Sequence, residues 1–552
     1  MEKVAHVTAG EKLSNRNLLC FSAGGVGRDM AYTLWNAYLL MCIMYTKSVT
    51  NSQLSIILII MAVCRIWDAV NDPIMGGIIE RTRTKWGKFK PWILIGAVSN
   101  AVVTFAIFAV PLKGQDFLIF FPFAYLIWDI TYTMNDIGYW AMLPSLTSND
   151  NDRNKLAMFA NILAGIGAGI TGIVIPIFTT GKLAIGGNAV TGYTVMAAVI
   201  CSFLILCQLL TTLGVKEKPL PPCCGEKMGV KAMFKVIFKN DQLLWVALVM
   251  ILYNLGSSLY SASLANYVLF RFGYAGVNIA LFTTLGGILG GVSILFPWLS
   301  KRFTRKTIAA WSIGTACVGY ALLFIIGSST NSAANTQAIY VGLIAISALI
   351  AIGQSMFYMV LTISIANTIE YNEWKTGSRD EGIIFSVRPF MAKMGSALVV
   401  VVTAVIYGVL RVGDVTNRIS DIENEAYIML GQGTSAETVE TFKQTQITAV
   451  LDGVAPNIRI WMLFGLTVIP MLFVIGGYTV WRLKYKINEK FYAEIVTENL
   501  ERACGLGVDA EAVARGEGQL NAAEADVFSA AAGGEVPHYT PEDENADSDG
   551  EA

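Results

Sequence analysis

The sequence predicts an all-α membrane protein with about twelve transmembrane helices in two six-helix halves. Three observations carry that prediction. Of 552 residues, 54% are hydrophobic and only 15% are charged, and mean hydropathy is +0.54. A soluble fold of this size has too few charges here to cover its surface without large apolar patches. The apolar residues also gather in long runs. Ser48–Cys64, Pro91–Pro111 and Ala397–Leu410 carry no charge at all, and a bilayer needs about 20 predominantly apolar residues per helical span. Finally, lysine and arginine alternate between successive loops, as membrane topology requires.

Taken in order, the first six spans centre near Tyr32, Ala62, Ala101, Ile130, Ala168 and Ser202. The second six centre near Leu252, Gly286, Gly319, Ile352, Val400 and Leu466. Between them lies a basic, proline-containing stretch with Pro219, Pro221 and Pro222. The domain plan is therefore an N-terminal segment 1–16, a six-helix half 17–213, a linker 214–240 and a second half 241–490. Within the second half, 412–458 reads as a long polar external loop with an amphipathic helix around Thr438–Leu451. Residues 491–552 turn Ala/Gly-rich and acidic, a composition that cannot bury a core and is expected to be disordered.

The loop after span two holds Arg81, Arg83, Lys85, Lys88 and Lys90. The linker holds Lys216, Lys218, Lys227, Lys231, Lys235 and Lys239, and the loop after span eight holds Lys301, Arg302, Arg305 and Lys306. Lys47, Lys113 and Lys182 stand alone on the opposite side. The positive-inside rule then puts both termini in the cytoplasm of a multi-pass protein of the inner, cytoplasmic membrane. Span eight is span two of the second half, so the recurring basic loop indicates a parallel duplication, the plan of major facilitator transporters. Arg81, Arg83 and Arg302 are placed to latch the halves together.

Composition excludes several classes. With 40 basic and 41 acidic residues, bulk charge predicts no nucleic-acid partner. The two histidines, His6 and His538, both lie in polar tails. That removes histidine-dependent proteolysis, acyl transfer and haem ligation from the membrane region. Most of the nine cysteines lie inside apolar runs and behave as small hydrophobes; only Cys223–Cys224 sits in a basic loop. The first 16 residues are mixed polar and read as no removable signal peptide.

Charges inside spans are costly and mark function. They are Arg28 and Asp29 in span one, Arg65, Asp68 and Asp72 in span two, Asp129 and Asp136 in span four, and Lys393 in span eleven. Three positive and five negative charges leave −2, with Arg388 set aside as interfacial. A low-dielectric cavity does not hold that excess, so either carboxylates are protonated or a cation enters. Asp68 and Asp72 are four residues apart and share a helix face, with Asn71 nearby and Thr133 one turn from Asp136. Two carboxylates with neutral oxygens suit a small hard cation such as Na⁺, and proton occupancy fits equally well. Arg65 offers the plainer alternative of pairing with Asp68 three residues on. Asp29 and Asp136 provide carboxylate acceptors for vicinal hydroxyls, while Trp140, four residues past Asp136, and Tyr358 on span ten provide aromatic faces.

These segments closely resemble the glycoside–pentoside–hexuronide:cation symporter family. The resemblance is carried by Arg65-Ile-Trp-Asp-Ala-Val-Asn-Asp-Pro-Ile-Met-Gly76 and Arg83-Thr-Lys-Trp-Gly-Lys-Phe-Lys-Pro-Trp92. It continues in Gly27-Arg-Asp29, in Thr131-Tyr-Thr-Met-Asn-Asp136 running to Trp140, in Glu370-Tyr-Asn-Glu-Trp-Lys375 and in Lys393-Met-Gly-Ser396, and spans roughly residues 15–490. It implies a major facilitator fold and symport of a sugar or glycoside with Na⁺ or H⁺, Li⁺ being a further candidate, without any cofactor. It further implies Asp68, Asn71, Asp72 and Thr133 at the cation, and Arg28, Asp29, Asp136, Trp140 and Tyr358 around the sugar. Lys393 matches a lysine that links the two sites. The expected partners are the small-molecule sugar and the bilayer, with a monomer as the working unit.

The chain also departs from that pattern. Asn161 stands where a sugar-contacting arginine is expected on span five, Asp129 replaces a glycine, Gly138 replaces a proline, and Tyr358 replaces a tryptophan. One positive group lost and one carboxylate gained change the pocket by −2, which disfavours an anionic hexuronide and leaves a neutral glycoside or pentoside. Asp129 and Asn161 are thus expected to set specificity. The competing readings are a facilitator or exchanger without obligatory cation coupling, a membrane enzyme using the carboxylates as a metal cluster, and a non-transporting receptor. Nothing in the sequence supplies the enzyme with a nucleophile.

Overall fold

The computed structural model describes residues 13–147, 150–217, 238–282, 295–329, 336–377 and 381–504, and all regular structure among them is helical. In the first half, α1 (Asn15–Thr33) runs through a π turn (Leu34–Tyr38) into α2 (Leu39–Thr46). Then follow α3 (Asn51–Arg81), α4 (Lys90–Ala109), α5 (Gly114–Met142), α6 (Asp150–Thr179) and α7 (Ala189–Gly214). The second half contains α8 (Asp241–Phe272), the short α9 (Phe296–Ser300), α10 (Arg305–Gly327), α11 (Thr336–Thr376) and α12 (Glu381–Leu410). It ends with α13 (Val412–Gly431), α14 (Ala436–Asp452), α15 (Pro456–Lys484) and α16 (Glu489–Cys504).

Ten of these helices are long and apolar enough to cross a membrane. The first expected span is split between α1 and α2 by the π turn. The span expected around Gly286 lies outside the described residues, as do His6, His538, Cys223–Cys224 and the linker prolines. This is the all-helical, two-half architecture expected from the hydropathy pattern.

Within the first half, α1 packs on α6 and α7, and α4 on α5 and α7. Close approach of the helices depends on residues without side chains. A Cβ on Gly27 would lie 2.7 Å from the Phe203 carbonyl oxygen, and one on Gly353 2.4 Å from that of Ser312. Gly27 thereby seats α1 against α7 immediately before Arg28 and Asp29.

The core is shared unequally. One apolar cluster draws Tyr45, Phe117 and Tyr193 of the first half together with Tyr267, Tyr407 and Leu466 of the second. At the end bearing the basic loops, the halves keep separate cores: Phe21, Ile79 and Tyr139 in one, Leu243, Phe357 and Trp481 in the other. The halves therefore meet at the end away from the basic loops and part toward the basic end.

Two expectations are corrected. Residues 412–458 do not form a loop with one helix: α13 and α14 make a helical hairpin, with Ser435 capping α14 through Thr438 N. Its charged surface hides it from a hydropathy scan, since nothing in it needs a bilayer. The acidic tail begins later than 491, because residues 489–504 form α16, which docks on the second half. There Trp374 Nε1 donates to Glu498, and Asn499 donates to the Glu370 carbonyl. The Arg305 N–H and guanidinium both reach Glu489. Burial pushes the Glu489 carboxyl up, but those Arg305 contacts outweigh it and hold it below the usual glutamate range. Residues beyond 504 lie outside the described set.

The basic-loop arginines do not join the halves through the bonds seen here. Arg83 donates to the carbonyls of Glu80 and Thr82 in its own loop, and Arg302 lies over the Trp298 ring. The first basic loop is instead held by Glu217, whose carboxylate accepts from Lys88 N and Lys90 N.

Candidate substrate and cation site

Two clusters form where the spans carry charge. In the first, Arg28 on α1 lies between two carboxylates. Its Nη2 is 3.2 Å from both oxygens of Asp29, and its Nη1 is 3.1 Å from Asp136 Oδ1 on α5. The guanidinium also lies over the rings of Tyr139 and Trp140, 4.7 and 4.9 Å from their centroids. The Arg28 side chain is only 4% exposed, against 22% for Asp29 and 35% for Asp136. The cation is thus the buried centre, and the carboxylates are the more exposed groups. One positive and two negative groups leave this cluster at −1.

The second cluster crosses between the halves. Lys393 Nζ on α12 donates to Asp68 Oδ1 at 2.8 Å and to Asp72 Oδ2, both on α3. Thr133 Oγ1 on α5 donates to the other Asp72 oxygen at 3.5 Å. The four-residue spacing of Asp68 and Asp72 puts both on the face of α3 that meets α12. Pro73 follows directly and cannot donate to the Ala69 carbonyl, so the helix loses one backbone bond beside the site. This cluster too is one cation shared by two carboxylates, at −1. The −2 counted along the sequence is therefore divided equally between two places. Asp136 interacts electrostatically with Lys393 and Asp68 as well as with Arg28, so neither cluster is independent of the other.

Arg65 does not form the same-helix pair with Asp68. Its guanidinium reaches Asn36 Oδ1 on the π turn, and Asp68 takes Lys393 instead. Asn71 is buried on the same helix, and its amide nitrogen has no hydrogen-bond partner among the described residues. Asp129 lies two helical turns from Asp136, buried beside Asp68, with Oδ2 lacking a hydrogen bond. It lies beside the Lys393 cluster rather than the Arg28 cluster, and Arg65 offsets its charge in the total of −2. Asn161 is exposed on α6 and donates to the Ala157 carbonyl one turn back. Tyr358 belongs to the opposite half, where its hydroxyl accepts from Arg388 Nη2 at 2.7 Å and its ring stacks on Tyr253.

Sequence reasoning passed over Arg388, Tyr139 and Asn36. Arg388 reads from the sequence as interfacial, yet it lies five residues before Lys393 on the same helix. Tyr139, three residues past Asp136, carried a helical-face signal that Trp140 alone received. Asn36 carried none, because its position depends on the π turn.

The membrane-length helices thus hold one charged cluster within the first half and a second that crosses between the halves. Residues 20–435 match the MFS/sugar transport protein family, and the chain belongs to that family. It is 29% identical over 397 residues to the raffinose carrier protein of Pediococcus pentosaceus, covering 69% of this chain and 60% of that one. It is 32% identical over 404 residues to the lactose permease of Lactobacillus delbrueckii subsp. bulgaricus, covering 70% and 62%. The chain thus spans about three fifths of the length of these two relatives. In fold, it is similar to a bacterial homologue of the human lysosomal transporter Spinster in an inward-facing, unoccupied conformation. The TM-score is 0.58 at 13% identity, over 85% of this chain and 98% of that one.

Proposed function

We propose that the protein is a secondary transporter that carries a neutral sugar or glycoside across the inner membrane together with Na⁺ or H⁺. Its basic loops and termini face the cytoplasm. The observation that carries this reading is the sharing of one lysine by Asp68 and Asp72 across the two halves. Each three-residue cluster is one charge short of neutrality, and a monovalent cation at Asp68 and Asp72 neutralises the one that ties α3 to α12. The ion competes with Lys393 for the same oxygens, with Thr133 and Asn71 as neutral neighbours. Li⁺ has the same charge and hardness and enters the same competition. The cation is cargo here; no resident cofactor is needed.

The Arg28 cluster is the sugar site in this reading. Asp29 and Asp136 accept from sugar hydroxyls, Arg28 donates and stays fixed by two rings, and Trp140 offers a ring to the C–H face of the sugar. Because Asp136 also senses Lys393, a cation at Asp68 and Asp72 alters the field at the sugar. That is a coupling between two sites, and it is reciprocal. The raffinose and lactose carriers among its relatives support a glycoside as cargo.

The test is uptake of labelled sugars into proteoliposomes, with and without a Na⁺ or pH gradient. Gradient-driven accumulation is expected in the parent protein. Asp72→Asn and Asp68→Cys should abolish it while leaving sugar exchange in place. Full accumulation in both variants would overturn the cation assignment.

A further inference from the structure

The hairpin α13–α14 belongs to the second half by sequence, yet one face of it is bonded to the first half. Ser420, Glu423 and Asn424 are spaced to share a face of α13. Ser420 Oγ accepts from Ser48 N at 2.9 Å, and Asn424 Nδ2 donates to the Thr46 carbonyl at 3.0 Å. Glu423 Oε2 accepts from Ala189 N at 2.7 Å, the first N–H of α7, which a helix leaves without an internal partner. From α14, Lys443 Nζ donates to the Gly187 carbonyl at 2.7 Å and pairs with Glu423 Oε1 at 3.3 Å. The two side chains are 2% and 0% exposed. Burial pushes the Glu423 carboxyl above its usual range, while Lys443 and the Ala189 N–H oppose it.

These contacts hold backbone groups at the ends of the first and sixth spans, on the side where the halves already share a core. A buried ion pair has a property suited to a reversible joint. Glu423 and Lys443 lie on the two helices of the hairpin and stay paired as it moves; lifting them off Ala189 N and the Gly187 carbonyl rehydrates both charges, so the closed form gains little over the open one, whereas deleting one partner strands a buried charge. We propose that the α13–α14 hairpin is the external gate of the transporter, latched to the first half by Glu423 and Lys443 while the site faces the cytoplasm. It unlatches as a unit when the site turns outward. The gate goes beyond the proposed sugar transport, and reduced-state transport in the test below reports on that reading separately.

The Ser48 and Ser420 hydroxyl oxygens are 3.4 Å apart. In reconstituted full-length protein, Ser48→Cys/Ser420→Cys should cross-link on oxidation. Counterflow of labelled sugar should fall about tenfold or more and return on reduction, with each single-cysteine variant unaffected. Unchanged counterflow in the cross-linked protein means that the hairpin rides permanently with the first half, and overturns the proposal. So does failure to cross-link in protein that still binds sugar. A second measurement separates latching from folding. Lys443→Met should speed labelling of an Asn266→Cys probe by an external maleimide about tenfold, because Asn266 is buried where Tyr45 meets it across the halves. Glu423→Met/Lys443→Met, which leaves no stranded charge, should return labelling to the parent rate or below. Equal labelling in all three proteins overturns the latch.

Discussion

The two central clusters have the same composition, one cation between two carboxylates, and differ in what surrounds the cation. Arg28 lies within one half, is almost fully buried, and is covered by Tyr139 and Trp140. Lys393 comes from the opposite half, is 24% exposed and bridges to α3. In the proposed function, a guanidinium in a fixed fork would serve as a template and an ammonium on a flexible stem as a movable plug. The pair teaches that charge content alone does not distinguish a cluster held within one half from one that joins the two. What distinguishes them is whether the bond crosses between bodies that move.

The largest expected effect falls on the joint. Lys393→Met should lower gradient-driven accumulation about a hundredfold, since the carboxylates lose their partner across the halves, while direct cation binding persists or tightens. Uptake assays with parallel cation titrations check this, and retained accumulation would mean that Lys393 is not the coupling element. A smaller effect is expected at the platform. Arg28→Lys keeps the charge but loses the fork, and should weaken sugar binding about tenfold with cation affinity unchanged, measured by calorimetry. A matching loss of cation affinity would erase the distinction between the clusters. The smallest effect belongs to Asp129. Asp129→Asn should shift cation affinity a few-fold, about 1 kcal/mol, and leave the sugar alone. The opposite pattern would return Asp129 to the sugar site.

Legibility in the sequence followed physical range. Spans and basic loops depend on local composition, so they were read directly. The spacing of Asp68 and Asp72 placed both on one face because helix periodicity is local. The partner of Asp68 was not legible, because Arg65 is near in sequence while Lys393 is 325 positions away. Asp129 shares a face with Asp136, but two turns along the axis carry it to a different cluster. The hairpin has no legible pattern as a loop or span because its helices are held by polar contacts to another half, which no single-segment pattern reports. Only the stretch around Thr438–Leu451 showed its period, and α14 spans Ala436–Asp452.

The π turn at Leu34–Tyr38 gives the first span an extra residue relative to a regular helix. One residue corresponds to about 100° of rotation. Below the turn, Gly27, Arg28 and Asp29 face α5 and α7; above it, Tyr45 reaches Asn266 on α8. The span therefore works as two pieces set at different azimuths, each matched to its own neighbour. Deleting one residue within Leu34–Tyr38 would make the rod continuous and swing Tyr45 away from the other half, without altering a single charged group.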